Sequence, residues 1–277
     1  LDIMGADSLI PYHSNLLMML NTSFLIIMGG IGFIVWWDTV EAFRRIRTKK
    51  CSIRSAWNGV HLQTKIAIFM TLLLLIGGTV VIYFLERSNP DTLGNLSEKD
   101  RILNAFFQSV TLRTAGFAAV PQAALRPVTA FFGALLMMIG GSPVGTAGGM
   151  KTVTIAVIFF TFAAMIRNHE DTEVFKRNIP VSVVKKAVAI VFLSMSTIFI
   201  MTILLMATND VNLLDALFEV ASAVCTVGLS RNLTPVLNTA GQIIIMICMY
   251  IGRVGPISMV VAFNTQNLSL IHISEPT

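Results

Sequence analysis

The sequence predicts an all-α polytopic membrane protein built from repeated units, and three observations carry that prediction. Of its 277 residues 55% are hydrophobic and only 13% charged, with a mean hydropathy of +0.75, a composition of membrane rather than soluble chains. Five stretches, Leu16–Trp37, Ile66–Leu85, Pro127–Met150, Ala187–Asn209 and Asn232–Gly252, contain no charged residue. About 20 such residues are what a helix needs to cross roughly 30 Å of hydrocarbon with its backbone satisfied. Finally, two short motifs, "TLRTAGFAAVP" and "AVCTVGLSRNLTP", recur in matching surroundings.

Taken in order, the first stretch ends in the basic run "RRIRTKKCSIR", the second in the nearly balanced "ERSNPDTLGNLSEKDR", and the third in the basic "RNHEDTEVFKRNIPVSVVKK". The positive-inside tendency puts both basic loops in the cytoplasm. Topology and attraction to anionic lipid account for them without a nucleic-acid site. Cys51, Cys225 and Cys248 match no metal-ligand spacing and are expected as free thiols. His13, His61, His169 and His272 are scattered, and no HExxH, GxSxG or intramembrane carboxylate pair suggests an enzyme. The N-terminus has no cleavable signal and no Met, so the chain reads as part of a longer one.

The repeat has a fixed offset. Gly116 and Gly228 stand 112 residues apart, and the same offset carries Ile139-Gly140 onto Ile251-Gly252. Ala105-Phe106-Phe107-Gln108 resembles Ala216-Leu217-Phe218-Glu219 with one residue of slippage. Each unit is a long helix, an outer loop, a short helix of about 10 residues that covers only about 15 Å, a Thr-x-Gly turn and a second long helix. Such a short helix must enter and return on one side. "IIMGGIGF" is similar to "MMIGGSPVG" and marks the second helix of a preceding unit. The resulting divisions are residues 1–61, an inner helix and basic loop; 62–180 and 181–263, two complete units; and 264–277, an atypical tail read as non-native.

Irregular backbone at membrane depth survives only inside protein or beside water. A short helix followed by Thr-x-Gly can aim successive carbonyl oxygens at an axis, where they replace a cation's hydration shell. Gly116 and Gly228 supply conformations that a Cβ forbids, and Thr114 and Thr226 add hydroxyl oxygens. These motifs resemble the Trk/Ktr/HKT superfamily of potassium transporters, in particular its KtrB- and TrkH-like pore subunits. The resemblance implies helix–pore loop–helix units of a pseudo-fourfold cation channel. "FFQSVTLRTAGF" is similar to the third filter (Thr114, Ala115, Gly116, Phe117) and "LFEVASAVCTVGL" to the fourth (Thr226, Val227, Gly228, Leu229). It further implies potassium as substrate, no cofactor in the chain, a homodimer in the bacterial inner membrane, and a cytoplasmic ring of nucleotide-binding regulatory subunits near Arg44–Arg54 and Arg167–Lys186.

From Arg126 to Ile166 one helix would run about 61 Å, twice the hydrocarbon thickness. The chain breaks it with "GGSPVGTAGGMKT", five glycines and a proline. Gly148-Gly149-Met150-Lys151-Thr152 is no nucleotide loop, because glycine and lysine are separated and no strand precedes. The resemblance makes this stretch an intramembrane gate, carried onto Gly140, Gly141, Ser142, Pro143, Gly145, Thr146, Gly148 and Gly149, with Lys151 either snorkelling to the interface or serving the gate. An intramembrane Arg is costly, about 3 kcal/mol, and faces a polar interior; the resemblance has Arg253 hydrogen-bond loop oxygens. Arg113, just before the third filter, is expected to pair with Glu219 behind it. The competing function is a secondary cation carrier with a broken-helix midplane site, which predicts inverted repeats where these units run in one orientation.

Overall fold

The computed structural model describes residues 8–49, 52–168, 172–175 and 177–255. The tail 264–277, Cys51, His169 and His272 lie outside the described residues. Ten α-helices follow in order: α1 Leu16–Gly30, α2 Phe33–Lys49, α3 Ile53–Asn58, α4 Leu62–Glu86, α5 Glu98–Thr111, α6 Pro127–Met138, α7 Thr152–Ile166, α8 Val181–Thr208, α9 Leu213–Val224 and α10 Thr239–Val254. Between α7 and α8 a two-residue antiparallel ladder joins β1 (Glu173–Val174) to β2 (Arg177–Asn178), which the sequence pattern does not predict.

Helix starts follow from their caps. Ser97, Asn238 and Asn15 accept backbone N–H groups at the first turns of α5, α10 and α1. Pro127 opens α6 at the one position where its missing N–H costs nothing. α4 and α8 are each long and apolar enough to cross a membrane unaided. The other expected spans are not single helices. The stretch after Arg126 is broken into α6 and α7, as six helix breakers dictate, and residues 232–238 form a turn, so α10 starts only at Thr239.

Leu16–Trp37, expected as one span, is corrected to two helices meeting at 96°. The cause is a loop from the next unit. Gly32 holds φ +91°, and a Cβ there would collide with the carbonyl oxygen of Pro143. Ser142 N–H donates to Gly30 O at 2.9 Å, Thr146 N–H to Gly29 O at 3.3 Å, and Phe33 N–H to Val144 O at 3.1 Å. Carbonyls that α1 leaves free at its C-terminus are thereby satisfied. The equivalence of Gly29 with Gly140 extends to behaviour: both helices stop at their Gly-Gly pair.

The helices recur in one order: α4, α5 and α6, then α8, α9 and α10, each a long helix, a shorter one and a third after the Thr-x-Gly turn. Apolar burial gains little against lipid, so close approach decides packing. Gly78 of α4 lets α5 in so tightly that Ser109 Oγ occupies the place of a Cβ and donates to Leu75 O at 3.0 Å. Gly252 does the same for the end of α9, where Val224 O fills its missing side chain. The shared core, Leu112, Ala134, Met137, Phe218, Val220 and Ile245 among others, binds the units to each other. A second core, Ile66, Met70, Ala156, Val157 and Ala187, holds α7 against α4 and α8. On the outer side Glu86, fully buried, accepts from Asn89 Nδ2 and Thr92 Oγ1 at 2.6 Å each and from Arg126 N–H at 2.9 Å.

Candidate functional site

Both Thr-x-Gly turns share one unusual backbone. Thr114 and Thr226 lie at φ +68° and +55°, Gly116 and Gly228 at +79° and +93°. Glycine takes such values freely, but a β-branched residue there is strained and persists only when its surroundings hold it. The holding groups come from the short helices. Thr111 Oγ1 donates to Phe117 O at 2.6 Å and accepts Phe117 N–H at 2.9 Å. In the other unit Ser222 O accepts Val227 N–H at 2.8 Å and Ser222 Oγ accepts Gly228 N–H at 3.1 Å. Outside the turns, Gln108 and Gln122 exchange hydrogen bonds at 2.7 and 3.1 Å, and Glu219 accepts from Ser230 at 2.7 Å and from Thr234.

These supporting residues were readable in "FFQSVT" and "LFEVAS", where Gln108 matches Glu219 and Thr111 matches Ser222 under the one-residue slip. Their partners lie beyond the repeat's matching residues, so the motif alone does not reveal them. With the N–H groups of Ala115, Thr226, Val227 and Gly228 held by the short helices, the carbonyl oxygens of Thr114, Ala115, Gly116, Thr226, Val227 and Gly228 accept no hydrogen bond among the described residues. The two turns touch: a Cβ on Gly116 would meet Val227 O. A cavity of about 540 Å³ lies against Ala115, Gly116, Val227, Gly228 and Leu229. A second, of about 550 Å³, lies against Cys225, Thr226, residues 145–151 and Arg253. The turns thus stand between two hollows.

The glycine-rich break is an ordered loop directly below. Gly140 N–H donates to Met150 O at 2.9 Å and Met150 N–H to Met138 O at 3.0 Å, so the loop's two arms are zipped together. Ser142 Oγ and Thr152 Oγ1, both fully buried, stand 3.1 Å apart. Gly148 abuts Thr226 Oγ1, and no side chain fits there. Gly140, Gly141, Ser142, Pro143, Gly145, Thr146, Gly148 and Gly149 therefore form one structure between the α1 end and the turn at Thr226.

The cations depart from expectation. Lys151 Nζ folds back to donate to Ala147 O at 2.5 Å. Arg253 lines the same cavity as Lys151 but makes no hydrogen bond to the loop among the described residues. The expected Arg113–Glu219 pair is also corrected. Glu219 faces outward to Ser230 and Thr234, whereas Arg113, 8% exposed, sends Nη2 towards Gly140 O at 3.4 Å. Arg113 borders a void with Gly30 and Gly141, and Glu219 a different one with Ser230 and Thr234, so the two charges do not meet. Cys225 and Cys248 are buried free thiols.

The family described as TrkH, cation transport protein, matches residues 1–269. The chain belongs to that family. This TrkH-family chain is 37% identical over 257 residues to "Ktr system potassium uptake protein B" of Bacillus subtilis, covering 93% of the chain and 55% of the relative. It is 35% identical to "Potassium/sodium uptake protein NtpJ" of Enterococcus hirae, covering 94% and 55%. The potassium transporter TrkH from Vibrio parahaemolyticus shares the fold, with a TM-score of 0.67 at 17% identity over 88% of this chain and 51% of that one. The chain spans about half the length of the curated relatives it matches.

Proposed function

We propose that this chain supplies two quarters, and the inner helix of a third, of a potassium-uptake pore. Thr114–Phe117 and Thr226–Leu229 are its third and fourth filter segments, and Gly140–Gly149 with Lys151 and Arg253 is its gate. One observation carries the reading: Thr and Gly at positive φ, twice, 112 residues apart. Residues that alternate in handedness turn successive carbonyls to one side, where an ordinary strand sends them to two. Oxygens free of donors on that side can replace water around a desolvated cation. No covalent step is needed, and the ion is cargo rather than cofactor. Residues 62–180 and 181–263 are the two units, 1–61 the preceding inner helix with its loop.

The names of the relatives support potassium, and one of them leaves sodium open as a second cargo. A bacterial inner-membrane homodimer on a nucleotide-binding regulatory ring completes the proposal, with Arg44–Arg54 and Arg167–Lys186 facing the ring or anionic lipid. The test is potassium-dependent growth and rubidium uptake in bacteria lacking potassium importers, with the full-length transporter carrying this chain and its Gly228→Ser variant. Uptake lost or opened to sodium in the variant is expected. Equal uptake and ion preference in both would discard the filter and favour a carrier.

A further inference from the structure

We infer that Arg113 is a positioning residue that latches the gate loop to the third filter, so that release of the loop is controlled from the residue just before the filter. This rests on the filter-and-gate reading above. The observations are geometric. Arg113 immediately precedes Thr114, and its side chain is buried. It lines neither large hollow beside the filter; it borders instead a small void shared with Ile27 and Gly30 of α1, Thr71 of α4 and Gly141 of the loop. Its guanidinium is placed behind the ion path, at the one point where filter, gate loop and the broken second-unit helix converge.

No carboxylate neutralises it: among the described residues Arg113 enters no ion pair, its Nε has no acceptor, and its one hydrogen bond runs from Nη2 to Gly140 O at 3.4 Å. A buried guanidinium held by a carboxylate would be fixed for good. Held by one loop carbonyl, it favours whichever loop position offers that oxygen. Gly140 starts the loop and is zipped to Met150 at its end, so the bond at Gly140 restrains both arms. In the fourth unit Cys225 takes the equivalent place and α10 runs on unbroken through Gly252. The latch occurs where the loop occurs.

The experiment uses the full-length transporter carrying this chain, in a Cys51→Ser background with Ala147→Cys as reporter of the loop. Inside-out vesicles are treated with a membrane-impermeant maleimide while rubidium and sodium uptake are measured in parallel. Arg113→Met removes every donor at nearly the same length; Arg113→Lys keeps one. The expected result is labelling at residue 147 faster by roughly 2- to 30-fold in Arg113→Met, the span of typical couplings between sites, with rubidium uptake raised and the rubidium-to-sodium ratio kept. Arg113→Lys falls between it and the parent, and Arg113→Met adds nothing to rubidium uptake, the readout that remains, where residues 144–147 and the reporter with them are deleted. Labelling at the parent rate, or an equal gain in the deletion background, overturns the latch. So does a changed ion ratio with unchanged labelling, which would make Arg113 a support of the filter alone. If Arg113→Met does not reach the membrane, Arg113→Gln, too short to span to Gly140, is read by the same criteria. Failure of the filter-and-gate reading itself looks different: loop deletion then leaves uptake unchanged whatever stands at 113.

Discussion

Thr111 and Ser222 show what a strained backbone requires. A threonine at positive φ costs on the order of 1–3 kcal/mol, and each turn recovers this through a hydroxyl that closes hydrogen bonds around the residues after it. Thr111→Val should keep the shape of the side chain, remove both bonds to Phe117, lower stability by about 1–3 kcal/mol and relax rubidium-over-sodium preference, with Thr111→Ser restoring both. Thermal melting and dual-isotope uptake check it; an unchanged preference would confine Thr111 to stability. Legibility at this scale was uneven. The turns stood out because Gly and Thr recur at fixed distance. The partners of Arg113 and Lys151 did not, because both are backbone carbonyls, which every residue owns and no sequence pattern marks. Glu219 was assigned to Arg113 on charge alone, while its hydroxyl partners arrive from the outer turn.

Among elements, the broken third inner helix was legible because glycines and proline accumulate where a span should be. The bend between α1 and α2 was not, since an uncharged apolar run reads alike whether straight or folded, and the agent is a loop more than a hundred residues away. Beyond that bend α2 is fastened to the foot of α4. Asp38, 5% exposed, accepts His61 Nδ1 at 2.8 Å and Thr64 Oγ1 at 2.5 Å. Burial pushes its carboxyl up, but the bonds from Thr64 and His61 and the His61 charge outweigh it, leaving it below its usual value. A depressed carboxylate stabilises the fold fully above its unfolded pKa, about 3.9, and loses that contribution as pH falls through the lower folded value. Asp38→Asn should therefore melt lower than the parent at pH 7, with the gap closing below about pH 4. A gap independent of pH would assign the effect to packing.

Over the whole molecule, one polar side chain adds to the shared apolar core in joining the two halves. Arg231 donates to Asp215 at 2.8 Å and to the carbonyls of Gln122 and Leu125 at 3.1 and 3.2 Å. It thus joins the exit of the Thr226–Gly228 turn to the exit of the Thr114–Gly116 turn. Arg231→Met should cost about 2–4 kcal/mol, given charged hydrogen bonds worth about 1.5–3 kcal/mol each and incomplete additivity. Arg231→Lys should recover little, because one ammonium cannot reproduce the fork. Differential scanning of both variants in detergent checks it, and a Lys variant as stable as the parent would reduce Arg231 to a point charge.

One consequence of the capped α1 end concerns time rather than structure. The amide hydrogens of Ser142, Thr146 and Phe33 are shielded only while the loop and the helix end remain in register. Each departure of the loop exposes all three to solvent at once, and each return protects them. Their exchange for deuterium should thus proceed at one shared rate, a clock that counts openings in the absence of any ion, and three unrelated rates would mean that the loop frays strand by strand instead of lifting as a unit.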